Sequence, residues 1–76
     1  MKTLIEWYNN ETPVLITIFL YGSVITNRII LDTLIDYGGT VIIGAGQFSM
    51  ELNTSTLETI SEKELHYSDL IYLTAE

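Results

Sequence analysis

The chain has 76 residues and a formal net charge of -7, from ten acidic residues against Lys2, Arg28 and Lys63. A domain of this size buries only about 60% of the surface that its unfolded chain exposes, so we expect association of copies to supply further burial. The absence of cysteine excludes disulfides and thiolate metal sites. Three cations are too few for the basic patch with which proteins bind duplex DNA strongly.

The longest apolar run covers residues 14–25, twelve residues interrupted by Thr17, Gly22 and Ser23. A membrane-spanning helix needs about 20 apolar residues, so no membrane association is predicted. The first residues lack the apolar stretch and small-residue cleavage site of a secretion signal, which favours a cytoplasmic location. No pattern in the chain indicates a cofactor.

The N-terminus has the pattern of a short helix. Thr3 and Glu6 have the S/T-x-x-E spacing of a capping box, which predicts a helix over residues 4–9. Trp7 is interpreted as packing over one end of the fold, with contact to a ligand as the alternative. The apolar face of this helix is predicted to consist of Leu4, Ile5 and Tyr8.

Five strands are predicted from β-branched apolar runs separated by short turns. They cover residues 14–20, 24–31, 40–43, 47–52 and 57–60, with turns at residues 21–23, 36–39, 44–46 and 53–55. The first strand is apolar on both faces, which indicates burial against another subunit or against the helix. The sequence therefore predicts a mainly β fold, a small five-stranded barrel with a short N-terminal helix, in a single domain of residues 1–76.

The C-terminal segment has two interpretations. Ser61 and Glu64 form a second capping-box spacing, which favours a helix through about residue 72. Residues 70–74 are instead β-prone and follow a turn at Ser68-Asp69, which favours a last strand. The strand is the preferred interpretation.

The order of these parts over residues 4–60 resembles the Sm-like fold, and most closely the bacterial Hfq family. The shared features are a short helix, a proline that enters the first strand, a glycine turn, a tightly turned strand pair and a short fifth strand. The best-matching stretch has its apolar positions at Val41, Ile42, Ile43, Phe48, Leu52, Leu57 and Ile60. The resemblance implies a ring of copies, in which residues 47–52 of one subunit pair with residues 57–60 of the next and so cover both edges.

The resemblance also implies a ligand site between the fourth and fifth strands. However, this chain lacks the residues with which the family binds RNA there. Hfq binds uridine-rich RNA through a Tyr-Lys-His run between its fourth and fifth strands, where this chain has Asn53, Thr54 and Ser55. The arginine-rich rim of the family has no counterpart around residues 6–11. RNA binding of the usual kind is therefore not implied.

Aromatic residues at turns offer another way to bind a nucleotide-type ligand, because a nucleobase can stack on an aromatic ring without much positive charge nearby. A ring of copies would present such turns around a pore or between subunits. The candidate ligand-binding residues at predicted turns are Tyr21, Tyr37, Gln47, Asn53, Thr54 and Ser55.

No catalytic or metal-binding residues are predicted. His66 is the only histidine and is interpreted as a surface or packing residue. Asp32 and Asp36 would share a face of a helix, but the glycine turn that follows favours a solvated loop. The serines lack a nucleophile-elbow motif, so the chain is predicted not to be an enzyme.

Two functional hypotheses follow. The first is a non-enzymatic, homo-oligomeric Sm-like or Hfq-like binding protein that holds a nucleotide-type ligand or a short RNA at subunit interfaces, for instance a phage protein that sequesters a defence signal. The second is an acidic phage-type anti-defence inhibitor that binds a basic surface of a host protein. The second rests on the short length, the -7 charge and the lack of catalytic motifs.

Overall fold

A computed structural model describes residues 1–76 and contains one short helix followed by eight strands. The elements are α1 (Lys2–Asn9), β1 (Val14–Leu20), β2 (Ser23–Ile29), β3 (Thr33–Asp36), β4 (Thr40–Ala45), β5 (Phe48–Asn53), β6 (Leu57–Ser61), β7 (Glu64–Tyr67) and β8 (Ile71–Ala75). The prediction of a mainly β fold with an N-terminal helix is confirmed. The predicted number of strands is wrong.

The strands form two antiparallel sheets. The larger sheet has the order β2-β1-β8-β7-β6, and the smaller has the order β3-β4-β5. The expected closed five-stranded barrel is therefore not observed. The physical reason is that β8, which the barrel did not include, pairs along β1 from Val14↔Ala75 to Ile18↔Ile71. With β2 on its other side, β1 has no free edge on which a barrel could close.

The core lies between the two sheets and α1. It contains eleven buried apolar residues, which come from α1, from both sheets and from the segment after β2. They alternate with more exposed residues along β1 and β4, as expected for strands that have one face on a core. The core residues are Leu4, Trp7, Val14, Ile16, Ile29, Leu31, Val41, Ile43, Leu52, Leu65 and Leu73.

Helix α1 begins two residues earlier than predicted and buries a different face. Its N-cap is Met1, without a side-chain cap, so the capping box at Thr3 does not form. Thr3 is instead 8% exposed and lies on the buried face with Leu4 and Trp7. Ile5 and the neighbouring Tyr8 face outward, contrary to the prediction, whereas the interpretation of Trp7 as a packing residue is confirmed. The helix has eight residues, which is too short to cross a membrane.

Several strand boundaries differ from the prediction. β2 ends at Ile29, and Leu31 is buried in the core without being part of a strand. β3 was not predicted, although the turn after it was. The C-terminal segment forms β7 and β8, so the preferred strand is confirmed over the alternative helix. The β4–β5 turn lies at Gly46 and Gln47, where Gly46 has the positive φ of 63° that favours glycine.

Two leucines in the last part of the chain test the position of the core. Leu73 is fully buried in β8, whereas Leu70 is 53% exposed just before that strand. We expect Leu73→Ala to lower the free energy of unfolding by about 2–5 kcal/mol, because it leaves a cavity between the sheets. Leu70→Ala should change it by less than about 0.5 kcal/mol. Urea unfolding followed by circular dichroism measures both, and equal losses would contradict the sheet arrangement.

Candidate functional site

Two turns on the smaller sheet are joined by hydrogen bonds. The backbone N–H of Thr54 donates to the carbonyl of Gly39 at 3.0 Å, and its hydroxyl Oγ1 donates to the same carbonyl at 3.0 Å. The two turns meet because the β4–β5 ladder ends at the pair Thr40↔Asn53. We call residues 37–39 and 53–55 together the turn cluster.

Each turn in the cluster is also fixed locally by a side chain. Asp36 Oδ1 accepts a hydrogen bond of 2.8 Å from the N–H of Gly38, which has a φ of 88°. Asn53 Oδ1 accepts from the backbone N–H of Ser55 at 3.0 Å and from its hydroxyl at 2.7 Å. Short Asp and Asn side chains commonly stabilise turns in this way. The backbone of the cluster is therefore held in place from within both turns.

A third contact connects the turn cluster to the larger sheet. The N–H of Asn53 donates to the hydroxyl oxygen of Tyr67 at 3.1 Å. Tyr67 lies at the end of β7, and its ring packs against the core. Tyr67 is not predicted from the sequence as part of a site, because no local pattern indicates that β7 passes beside the end of β5.

The structure brings together four of the six predicted ligand-binding residues. The turn cluster contains Tyr37, Asn53, Thr54 and Ser55. Of these, Tyr37 is a large aromatic residue that is 62% exposed. The other two predicted residues lie elsewhere. Gln47 is at the opposite end of the β4–β5 hairpin, and Tyr21 is at the tip of the β1–β2 hairpin, fully exposed.

The carboxylate of Asp32 organises the end of the smaller sheet that carries Gln47. Its Oδ2 accepts from the N–H of Gly46 at 2.7 Å, and its Oδ1 accepts from the hydroxyl of Thr33 at 3.0 Å. The Gly46 hydrogen bond, followed by that from Thr33, holds the pKa of Asp32 below its ordinary value of 3.8. Asp36 lies at the other end of β3 and bonds to its own turn, so the two carboxylates do not form a paired site.

His66 packs on the outer face of the larger sheet. Its ring stacks on Tyr72, with the centroids 3.9 Å apart and the planes at 18°. Tyr72 in turn contacts the edge of Phe19 at 5.1 Å, and Glu64 Oε2 lies 2.6 Å from His66 Nε2. The cross-strand pair His66↔Tyr72 produces this stack, and His66 is a packing residue as interpreted from the sequence.

Two open grooves lie on either side of Ile30, away from the turn cluster. The first, of about 380 Å³, is lined by Arg28, Ile29, Ile30, Ala45 and Gly46. The second, of about 370 Å³, is lined by Tyr8, Asn9, Glu11, Ile30, Leu31 and Asp32. No group of three or more His, Asp or Glu residues is arranged to hold a metal ion.

No protein-family model, curated protein or solved structure matches this chain. The Sm-like resemblance over residues 4–60 therefore stays a prediction based on the pattern of residues. The turn cluster has to be judged by its own geometry, which combines a fixed backbone, one exposed aromatic ring and several polar groups.

The lowered pKa of Asp32 gives a pH-dependent prediction. Its ionised form is favoured in the folded chain, so its contribution to stability is fully present above pH 3.8 and is lost as the pH falls through the lowered pKa. We expect Asp32→Asn to lower the melting temperature at neutral pH and to approach the wild type in strong acid. Thermal unfolding at a series of pH values measures this.

Thr33→Val is the matched control. It removes the hydroxyl donor, which lowers the pKa of Asp32 less than the Gly46 N–H does, and it leaves the Gly46 hydrogen bond in place. It should retain most of the pH dependence. A difference between Asp32→Asn and the wild type that is the same at every pH would contradict the assigned role of the carboxylate.

Proposed function

We propose that the chain is a non-enzymatic, homo-oligomeric binding protein whose turn cluster holds a nucleotide-type ligand or a short RNA. The observation that carries this proposal is the joining of the two turns by hydrogen bonds, so that the exposed residue Tyr37 belongs to one cluster with Asn53 and Ser55. A prearranged cluster loses little conformational entropy when a ligand binds.

The groups of the turn cluster are suited to a nucleobase and its sugar. Stacking of a base on an aromatic ring contributes about 1–3 kcal/mol, and Tyr37 offers an exposed ring. Asn53 uses its Oδ1 to hold Ser55, whereas its amide nitrogen donates to no other group of the chain. That nitrogen is therefore available as a donor to a base or ribose oxygen.

The charges favour recognition of the base over recognition of phosphate. The cluster contains no Lys or Arg, and Asp36 lies immediately beside Tyr37. The whole chain also has a net charge of -7, which repels an anionic ligand. We expect a nucleoside to bind at least as well as its monophosphate, with a weak dependence on salt.

Two observations support association of copies. Eleven large apolar side chains remain substantially exposed, among them several on or beside the β1–β2 hairpin. In addition, β5 and β6 are each the last strand of their sheet. These two strands contain most of the residues that are predicted to join copies, 47–52 and 57–60. Association through these two edges would place the turn of residues 53–55, which connects β5 and β6, at the contact between copies. The exposed apolar residues are Ile5, Tyr8, Leu20, Tyr21, Val24, Ile25, Ile30, Ile35, Tyr37, Ile60 and Leu70.

The ligand part of the proposal is tested by NMR titration of the ¹⁵N-labelled chain with adenosine, uridine, their monophosphates and a short oligouridine. We expect shifts of the backbone amide signals of Gly39, Asn53 and Thr54 with at least one probe. Tyr37→Ala should weaken this binding about tenfold or more, since it removes the stacking surface.

Tyr21→Ala is the matched control, because Tyr21 is also an exposed tyrosine at a turn but lies outside the turn cluster. It should leave the titration unchanged. The ligand proposal fails if no probe shifts the cluster amides, or if Tyr21→Ala weakens binding as much as Tyr37→Ala.

A second candidate function is supported by the distribution of charge. Nine of the ten carboxylates are on exposed residues, and only one Lys or Arg, Arg28, forms an ion pair. The β6–β7 hairpin alone carries Glu58, Glu62 and Glu64, with Lys63 as its only cation. Such a surface attracts a basic protein surface, as the acidic-inhibitor hypothesis requires.

This candidate predicts a salt-dependent association with a basic protein. Calorimetric titration against a lysine-rich protein should give an affinity that falls steeply as salt increases. Replacing Glu58 and Glu62 together with Gln should weaken it at low salt. The matched control replaces Glu6 and Glu11 with Gln on the helix side. An equal effect of both variants would show that net charge alone, without a defined surface, attracts the basic protein.

A further inference from the structure

Strand β2 is the one sheet edge that carries no carboxylate. Each of the other free edges includes an acidic residue, Asp36 in β3, Glu51 in β5 and Glu58 in β6. β2 has seven residues, six of them exposed, and its only charge is Arg28. An exposed strand of this length and composition readily pairs with another strand, and proteins normally protect such an edge.

We infer that β2 pairs antiparallel with β2 of a second copy, about a two-fold axis at Thr26. This inference rests on the homo-oligomer part of the proposed function and is independent of its ligand part. It adds an interface on the side of the larger sheet opposite β6.

The backbone geometry of β2 fits this pairing. In β1, the N–H of Phe19 donates to the carbonyl of Leu70, on the side of β8. Successive residues of a strand direct their N–H groups to opposite sides, so the residues on either side of Phe19 direct theirs toward β2. Ile18 is one of these and pairs with Ile25. Ile25 therefore directs its N–H and C=O groups toward β1. The residues of β2 that alternate with it direct these groups away from the sheet, and they are Val24, Thr26 and Arg28.

An axis at Thr26 uses the whole strand. Thr26 then lies opposite Thr26 of the second copy, and Val24 lies opposite Arg28, so all three outward-facing residues meet outward-facing partners. Cross-strand Thr–Thr pairs are favourable in antiparallel sheets. The strand is thus complementary to itself, as an interface related by a two-fold axis requires.

Charge favours a second copy as the partner at this edge. Two chains of net charge -7 repel each other, and β2 is the edge strand that contains no carboxylate of its own. The two Arg28 residues would be four residue steps apart, roughly 13 Å along the strands, and each is held by Glu76 of its own chain at 2.9 Å. Pairing also shields the side chains of Val24 and Ile25, which are 60% and 50% exposed.

The decisive variant is Thr26→Pro. Proline removes only the outward N–H, which an edge strand tolerates, so the ladder with β1 should remain intact. Light scattering after size exclusion should give the wild type at least twice 8.6 kDa, and Thr26→Pro half the wild-type mass or less. Thr26→Ala, which keeps the N–H, is the matched control and should keep the wild-type mass. Circular dichroism confirms that each variant is folded.

Two charge variants test the register without altering the backbone. Thr26→Lys places like charges directly opposite each other and should separate the copies, whereas Val24→Glu faces Arg28 of the second copy and should retain or strengthen their association. An oligomer whose mass is unchanged by both Thr26→Pro and Thr26→Lys would refute pairing through β2 and leave the homo-oligomer proposal in place. A wild-type mass of 8.6 kDa at every concentration would refute both, while ligand binding is decided separately by the NMR titration.

Discussion

The pairing of β8 with β1 joins the two ends of the chain and holds the larger sheet together. Without it, that sheet would separate into the β1–β2 hairpin and a three-stranded unit of β6, β7 and β8, because no other ladder connects them. The pairing also brings Leu73 beside Ile16, two of the buried residues on which the smaller sheet and α1 pack. Its contacts span almost the whole chain, so the loop-closure entropy must be overcome by the core that forms between the sheets.

The features predicted correctly from the sequence are those that depend on near neighbours. The bounds of β1 follow from an apolar run between Pro13 and a glycine turn. The turn before β4 follows from adjacent glycines, and Gly38 indeed has a positive φ. The last strand was preferred for its β-prone residues, and β8 forms there. In each case the preference is local, because it comes from backbone conformation and from alternation of side chains along one strand.

The features that were missed depend on residues distant in sequence. Thr3 has the spacing of a helix cap, but the core covers that side of α1, so Thr3 is buried within the helix. The barrel prediction rests on the pattern of residues 4–60, which does not include the final strands. One of these, β8, occupies the second edge of β1. The turn cluster contains one feature of each kind. Its turn at Asn53 depends on near neighbours and is predictable, whereas its contact with Tyr67 depends on the packing of the two sheets.

The small core also explains why the turn cluster and the β2 edge lie on different sides of the molecule. Only 13 of 76 residues are buried, so the apolar β1–β2 hairpin extends beyond the part of the core that the smaller sheet covers. That leaves Val24 and Ile25 exposed on the edge that lacks carboxylates. The turn cluster is fixed to Tyr67 of β7, on the other side of β1 and β8. Because these regions share no residue, pairing through β2 would join two copies and leave both turn clusters open to a ligand.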